Sequence, residues 1–196
     1  MSECRDIFDV MAQRRSVRAF RSDPVDERDL NLILEATASA PSAGNLQAYT
    51  VVVVRDPGVK RELARACWGQ EFVAEAPVVL IFLADPKRSA RVYGRRGASL
   101  YAIQDATIAC TFAMLAAHAL GYGTCWIGAF NDSAVLRTVE ASDSGLVPVA
   151  VLPIGRPAES PRTTPRRRAK EIFRKESLRE SFPYTPVMPE LRRPGM

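Results

Sequence analysis

The sequence predicts an α+β chain in which helices cover both faces of one central sheet, giving three layers, α/β/α. Two observations carry this. Short, β-branched runs at residues 49–54 and 78–83 are bounded by turn residues and are too brief for helices, which marks them as strands. Stretches with apolar residues at helical spacing alternate with them, and that alternation places helices on both faces of a sheet. The chain has 196 residues and 47% hydrophobic content, so one domain with a full core is expected.

Ile7, Val10 and Met11 stand at i, i+3 and i+4 and predict a short helix that delivers Arg14-Arg15-Ser16-Val17-Arg18 at its C-terminal end. The helix dipole favours cations there, which accounts for the cluster without any ligand. Three cations and a hydroxyl in five positions also form a socket for a phosphorylated anion, because guanidinium forks meet phosphate oxygens with paired hydrogen bonds. Residues 20–25 read as a turn, with Asp23-Pro24 as a helix start. Leu30, Ile33, Leu34 and Thr37 line one face of a second helix. It stops near Ala40, because Pro41 disfavours helical geometry in the residue before it.

Pro41-Ser42-Ala43-Gly44-Asn45-Leu46-Gln47 is a loop of small and polar residues, which alone reads as ordinary turn chemistry. The run over 49–54 is continuously apolar or β-branched, which predicts burial on both faces. Asp56-Pro57-Gly58 opens a helix with Val59, Leu63 and Ala66 inward, Trp68-Gly69-Gln70 ends it, and residues 72–76 connect to the second strand. Residues 85–98 are charged, contain glycine and lack a periodic apolar face, so a mobile excursion is expected. A long Ala-rich helix follows over 99–120, closed by Gly121-Tyr122-Gly123. Residues 124–130 form a third apolar segment, in which Gly128 leaves room for an approach to the backbone. A short helix near 134–139 precedes a fourth strand over 147–154, where Pro148 and Pro153 predict an edge strand or frayed ends. The tail holds one amphipathic helix with Ile172, Phe173 and Leu178, then a Pro-rich extension from Pro183.

Charge and cysteine usage narrow the function classes. Residues 1–161 hold 17 Lys and Arg against 18 Asp and Glu, whereas residues 162–196 hold 10 against 4. The net charge of +5 therefore comes from the tail, which lacks the aromatic interleaving of a single-strand binder; no nucleic-acid partner is expected. Cys4, Cys67, Cys110 and Cys125 form no CxxC pair, and the lone His118 has no companion at zinc-ligand spacing, so no metal is expected. Reduced thiols and an N-terminus without an apolar signal core point to a cytoplasmic protein. Residues 106–131 carry no Asp, Glu, Lys or Arg and are long enough to span a bilayer. The run is nonetheless rich in Ala and Thr and broken by Gly121 and Gly123, so a buried helix followed by a buried strand is expected, and no membrane contact. Neither GxGxxG nor GxxxxGK[ST] occurs, so side chains must hold any phosphate.

Four stretches now stand in order: residues 14–18, residues 41–47, Gly121-Tyr122-Gly123-Thr124-Cys125-Trp126-Ile127-Gly128, and Leu152-Pro153-Ile154-Gly155-Arg156-Pro157-Ala158-Glu159 followed by Pro165-Arg166. In this order and spacing the chain resembles the FMN-dependent nitroreductase family, over about residues 5–175. The resemblance implies a mixed central sheet, a single FMN-binding domain over residues 1–165, and an arm over 166–196 exchanged in a homodimer. It places Arg14, Arg15 and Ser16 at the FMN phosphate and Arg18 toward the pyrimidine end of the ring, where positive charge raises the flavin potential. Pro41, Ser42 and Asn45 would cover the ring from the other subunit, and Gln70 would make a polar contact with it. Trp126 and Ile127 join the cofactor-binding set. Gly128 and Ala129 form the segment whose backbone N–H reaches flavin N5, which makes them the catalytic positions. Arg166 would complete the phosphate clamp.

The implied activity is NAD(P)H-dependent reduction of nitroaromatic or quinone-type acceptors by ping-pong hydride transfer. Flavin-dependent dehydrogenation, reductive dehalogenation and a non-catalytic FMN-binding protein stand as alternatives. There are departures from the family pattern. Thr164 stands where many relatives carry Lys, so Arg167 or Arg168 could share the clamp; Ala48 replaces a common Pro; and no acidic residue occupies position 128. Little sequence separates the second strand from the long helix, which implies a member poor in lid and open at its site. His118 and the cysteines are expected to be packing residues.

Overall fold

The computed structural model describes residues 6–185 and 187; Cys4 and most of the Pro-rich extension beyond Tyr184 lie outside these residues. Its elements are α1 (Ile7–Gln13), α2 (Glu27–Ala38), β1 (Tyr49–Val54), α3 (Pro57–Ala66), α4 (Phe72–Glu75), β2 (Val78–Ala84), α5 (Pro86–Arg96), α6 (Ala102–Ala119), β3 (Gly123–Thr124), α7 (Asp132–Thr138), β4 (Val147–Gly155) and α8 (Ala169–Ile172). The strands form one sheet in the order β1-β2-β4-β3, and every pairing between them is antiparallel. A parallel relation occurs at an isolated bridge between Ser16 and Thr124.

Every residue of β2 is buried, and its alternation divides the core. Leu80 and Phe82 face α2 and α6, packing with Leu30, Ile33, Ala109, Cys110, Ala113 and Leu152. Val79, Ile81 and Leu83 face α3, α4 and α7, packing with Leu63, Cys67, Val73, Val135 and Val151. Three layers follow from this period of two, as predicted. Each large side chain so buried contributes about 1.5–3 kcal/mol. α6 is mostly apolar and, with α5, long enough to cross a membrane by length and composition. Its small residues Ala106, Ala109, Ala113 and Ala117 are nevertheless fully buried, which lets the helix lie close to the sheet.

Three expectations are corrected. β1 is not buried on both faces: it pairs only with β2, forms an edge, and leaves Val53 40% exposed. A continuous apolar run is compatible with either place, because the sheet position is set by its neighbours. β4 is not an edge strand but lies between β2 and β3. Its prolines are tolerated where the ladder breaks. Phe82 pairs with Ala150 and Leu83 with Pro148, so Val149 is the extra residue of a bulge. The main chain of Val151 bonds Ile127 in both directions, whereas the intervening 125–126 segment forms no ladder with Pro153.

Residues 85–98 are not an irregular excursion but contain α5. Asp85 caps it by accepting from the Arg88 N–H at 2.9 Å, and Pro86 occupies the first turn. The helix gives way at Gly94 (φ 54°), and a π-turn over Gly97–Tyr101 leads into α6. A Cβ on Gly97 would stand 2.5 Å from the Ser89 carbonyl oxygen, so the segment folds closely on itself. Two smaller shifts also occur. Asp26, not Asp23, caps α2, and the tail helix is the single turn α8, with Ile172, Phe173 and Leu178 exposed.

Candidate active site

α1 ends at Gln13, and the chain from Arg14 to Arg18 runs extended beside β3, with the Val17 N–H bonded to the Thr124 carbonyl at 2.9 Å. Gly123 permits this, since a Cβ there would stand 2.8 Å from Val17 Cβ. An extended segment sends successive side chains to opposite faces. Arg14, Ser16 and Arg18 share the face that carries Cys125: burial raises the pKa of its thiol, and Arg18, Ser16 and Arg14 act against that rise. Arg15 and Val17 turn to the other face, where they line a cavity of about 390 Å³ with Gln13, His118 and Tyr122. The Arg15 guanidinium donates to the Ala12 and Arg14 carbonyls at 2.6 and 2.8 Å, closing the end of α1.

Arg166, from the tail, lies within range of Arg14. Burial, then the charge of Arg166, then that of Arg15, lower the pKa of Arg14. Among the described residues, neither Arg14 nor Arg166 makes an ion pair. Arg167 and Arg168 are engaged elsewhere, both with Glu171, at 3.7 and 2.7 Å. Glu159, whose charge also acts on Cys125, accepts from the Arg18 main-chain N–H and is held there by backbone. Guanidinium groups within range of each other and paired to no carboxylate among the described residues suit an anion with several oxygens, such as a phosphate monoester.

The loop over 41–47 is built by side chains that the sequence reading passed over. Asp105, 1% exposed on α6, accepts from the Ala43 N–H at 2.9 Å and the Ala48 N–H at 3.3 Å. Burial, then the charge of Asp105, raise the pKa of Tyr49, whose hydroxyl donates to the Thr37 carbonyl. Ser42 Oγ accepts from the Gln47 N–H, and Gln47 Nε2 donates to the Asn45 carbonyl and Oδ1, each at 3.0 Å. Gly44 takes φ 57°, where an L residue is strained, and a Cβ there would displace the Tyr93 hydroxyl. A buried acid between apolar residues in an otherwise uncharged helix was the available signal for Asp105.

Asp105 and His118 lie near opposite ends of α6, about 20 Å apart along its axis at 1.5 Å per residue. The 41–47 loop is held at the first and the arginine segment runs near the second, so one chain does not bring Pro41, Ser42 and Asn45 to Arg14.

Gly128 and Ala129 are exposed, while Ile127 is buried and bridged to Val151 and Trp126 packs on the core. A Cβ on Gly128 would meet only the Trp126 indole, at 3.5 Å, an ordinary contact. Nothing in this chain requires glycine there. Gln70 donates to the Cys67 carbonyl at 3.0 Å, at the end of α3. That end is a Schellman turn, with Gly69 N–H to Ala64 carbonyl at 3.0 Å and Trp68 N–H to Arg65 carbonyl at 3.1 Å. Trp68 takes the left-handed position (φ 60°), which costs an L residue about 1–2 kcal/mol, yet its side chain is 69% exposed.

The family model for the nitroreductase family matches residues 11–70 and 65–156. A Bacillus subtilis protein named FMN reductase (NAD(P)H) is 32% identical over 174 residues, covering 82% of this chain and 70% of that protein. A Thermus thermophilus protein named NADH dehydrogenase is 58% identical over 73 residues, which span 37% of this chain and only 36% of that relative. Among solved structures, the hypothetical oxidoreductase YcnD of Bacillus subtilis superposes with a TM-score of 0.80 at 30% identity, over 87% of this chain and 74% of that one. A nitroreductase family protein from Clostridium novyi gives a TM-score of 0.73 at 27% identity, over 91% and 97%. With the α+β fold and the four ordered stretches, these matches establish that the chain belongs to the nitroreductase family.

Proposed function

We propose that the chain is an FMN-dependent NAD(P)H oxidoreductase that reduces nitroaromatic and quinone-type acceptors in a ping-pong cycle. The observation that carries this reading is that Arg166 lies within range of Arg14 for its charge to act on it, with no ion pair to either among the described residues. A phosphate monoester would relieve the repulsion between them and accept their planar forks. Relatives named FMN reductase and NADPH-dependent oxidoreductase indicate which phosphate ester and which donor. When bound, FMN supplies hydride acceptance from NAD(P)H and its delivery to the acceptor.

The chain's own residues bind and orient. Arg14, Ser16 and Arg166 hold the phosphate, and Arg18 lies toward the pyrimidine end. Gln70 offers an amide to the ring, and the exposed main chain of Gly128 and Ala129, led in by Trp126 and Ile127, offers N–H groups at N5. Arg15, on the opposite face, positions the end of α1. Pro41, Ser42 and Asn45 come from a second copy, in support of which they are held near the far end of α6 from the arginines. The domain of residues 1–165 is completed by an arm, 166–196, that packs on the partner; exposed Ile172, Phe173, Leu178 and Phe182 support that role. Free, buried thiols at Cys67, Cys110 and Cys125 fit a reducing cytoplasm.

The visible spectrum of the purified protein under nitrogen tests the reading. A yellow protein bleached by a reduced nicotinamide and recoloured by a nitroaromatic is expected. A colourless protein that refuses added FMN overturns it. A chain ending at Pro165 is expected to lose both FMN and dimerisation on a sizing column.

A further inference from the structure

We propose that the groove between α3 and α7 is the subsite for the adenosine 2′-phosphate end of NADPH, with Trp68 as stacking surface and Arg137 as the principal phosphate ligand. The proposal rests on the reading of the chain as a NAD(P)H oxidoreductase. The groove has a volume of about 520 Å³, and its polar and aromatic walls are Glu62, Arg65, Trp68, Asn131, Arg137 and Thr138.

Its place in the chain links it to the site. Trp68 stands just before Gln70, and Asn131 follows Gly128 closely enough that even an extended chain separates them by no more than about 11 Å. The Asn131 N–H is bonded to the Ala66 carbonyl at 2.9 Å, which joins the two walls. A nicotinamide facing the Gly128 main chain leaves its adenosine, a pyrophosphate away, to settle on neighbouring surface. This groove is such a surface.

Trp68 supplies the second argument. A bulky residue occupies the left-handed position that a helix end usually gives to glycine, and Gly69 follows immediately. The side chain then stands 69% exposed, so packing within the chain does not offset the strain. The two hydrogen bonds of the Schellman turn hold the residue there, and the indole so presented offers a flat, exposed face that stacks on a purine. Charge supplies the third. The lining carries two arginines against one carboxylate, Glu62, which is bridged to Arg65 at 2.6 Å. Arg137, in the last turn of α7, makes no ion pair among the described residues and is the cation available to a 2′-phosphate. NADH lacks that phosphate, so the groove favours NADPH.

The FMN-loaded, full-length protein is assayed with NADPH, NADH and 1-benzyl-1,4-dihydronicotinamide, a donor without adenosine or phosphate. Arg137→Ala and Trp68→Ala are each expected to raise KM for NADPH about tenfold relative to KM for the truncated donor. Trp68→Phe, which keeps an aromatic face, should restore most of the loss. Separately, adenosine 2′,5′-bisphosphate should quench tryptophan emission in the parent protein and not in Trp68→Ala. The subsite is overturned if the NADPH to truncated-donor ratio is unmoved in Arg137→Ala, or if the bisphosphate leaves emission unchanged. If the parent protein oxidises none of the three donors, the oxidoreductase reading itself falls.

Discussion

Arg166, in the tail, lies close enough to Arg14, at the end of α1, for its charge to depress the Arg14 pKa. Two guanidinium groups brought together from the two ends of a chain repel, and the arrangement is stable only if something else in the fold or a bound anion compensates. Its neighbours Arg167 and Arg168 are instead tied to Glu171. Arg166→Ala is therefore expected to weaken FMN binding by about 10- to 100-fold, the value of one or two charge-assisted hydrogen bonds. Arg167→Ala and Arg168→Ala should change it little. Recovery of free-FMN fluorescence on dilution measures all three.

Asp105 predicts the cost of the loop. It is buried and accepts from two backbone N–H groups, at Ala43 and Ala48. Asp105→Ala leaves both without a partner, so a loss of about 2–5 kcal/mol in urea unfolding is expected. Amide exchange at Ala43 and Ala48 should rise before the rest of the sheet opens.

Two glycines separate fold from ligand. Gly123→Ala drives a Cβ into Val17 at 2.8 Å and should destabilise the chain by about 1–3 kcal/mol, loosening the arginine segment with it. Gly128→Ala meets only the Trp126 indole at 3.5 Å. Its melting temperature should match the parent while turnover falls, because the methyl group intrudes on whatever approaches from outside. Equal melting losses in the two variants would contradict this.

The buried thiols set a pH limit. Burial pushes the Cys67 thiol up to about 11 from its ordinary 9.0, and raises Cys110 and Cys125 as well. Above pH 9 the unfolded chain gives up these protons while the folded chain keeps them. Stability present below pH 9 should therefore decline as pH rises toward 11. Cys67→Ala should flatten that decline in urea titrations taken at several pH values. At pH 8 an aromatic disulfide reagent should react with these three thiols only as fast as the protein unfolds.

Much of the fold was legible because local patterns and tertiary packing agree. The β-branched runs at 49–54 and 78–83 became β1 and β2, and Leu30, Ile33 and Thr37 face inward on α2 as their spacing requires. α5 is marked in the sequence by the Asp85-Pro86 cap, but the helix buries only Ser89 and so has no periodic apolar face to announce it. The edge position of β1 and the interior position of β4 were not legible, since a strand's neighbours are chosen by the whole sheet.

The sequence by itself determined most of the elements, the small and polar loop at 41–47, and the presence of cations near the start of the domain and in the tail. Those properties reside in residue type and spacing of only a few positions. Tertiary structure alone decided which cations meet. Arg14 and Arg15 are equal as letters, but extension of the segment beside β3 sends one to the face of Cys125, within range of the Arg166 charge, and the other to the cavity lined by His118. It also decided that the 41–47 loop, anchored on Asp105, stands at the far end of α6 from those arginines. The length of a helix sets that separation, and no local pattern reports it.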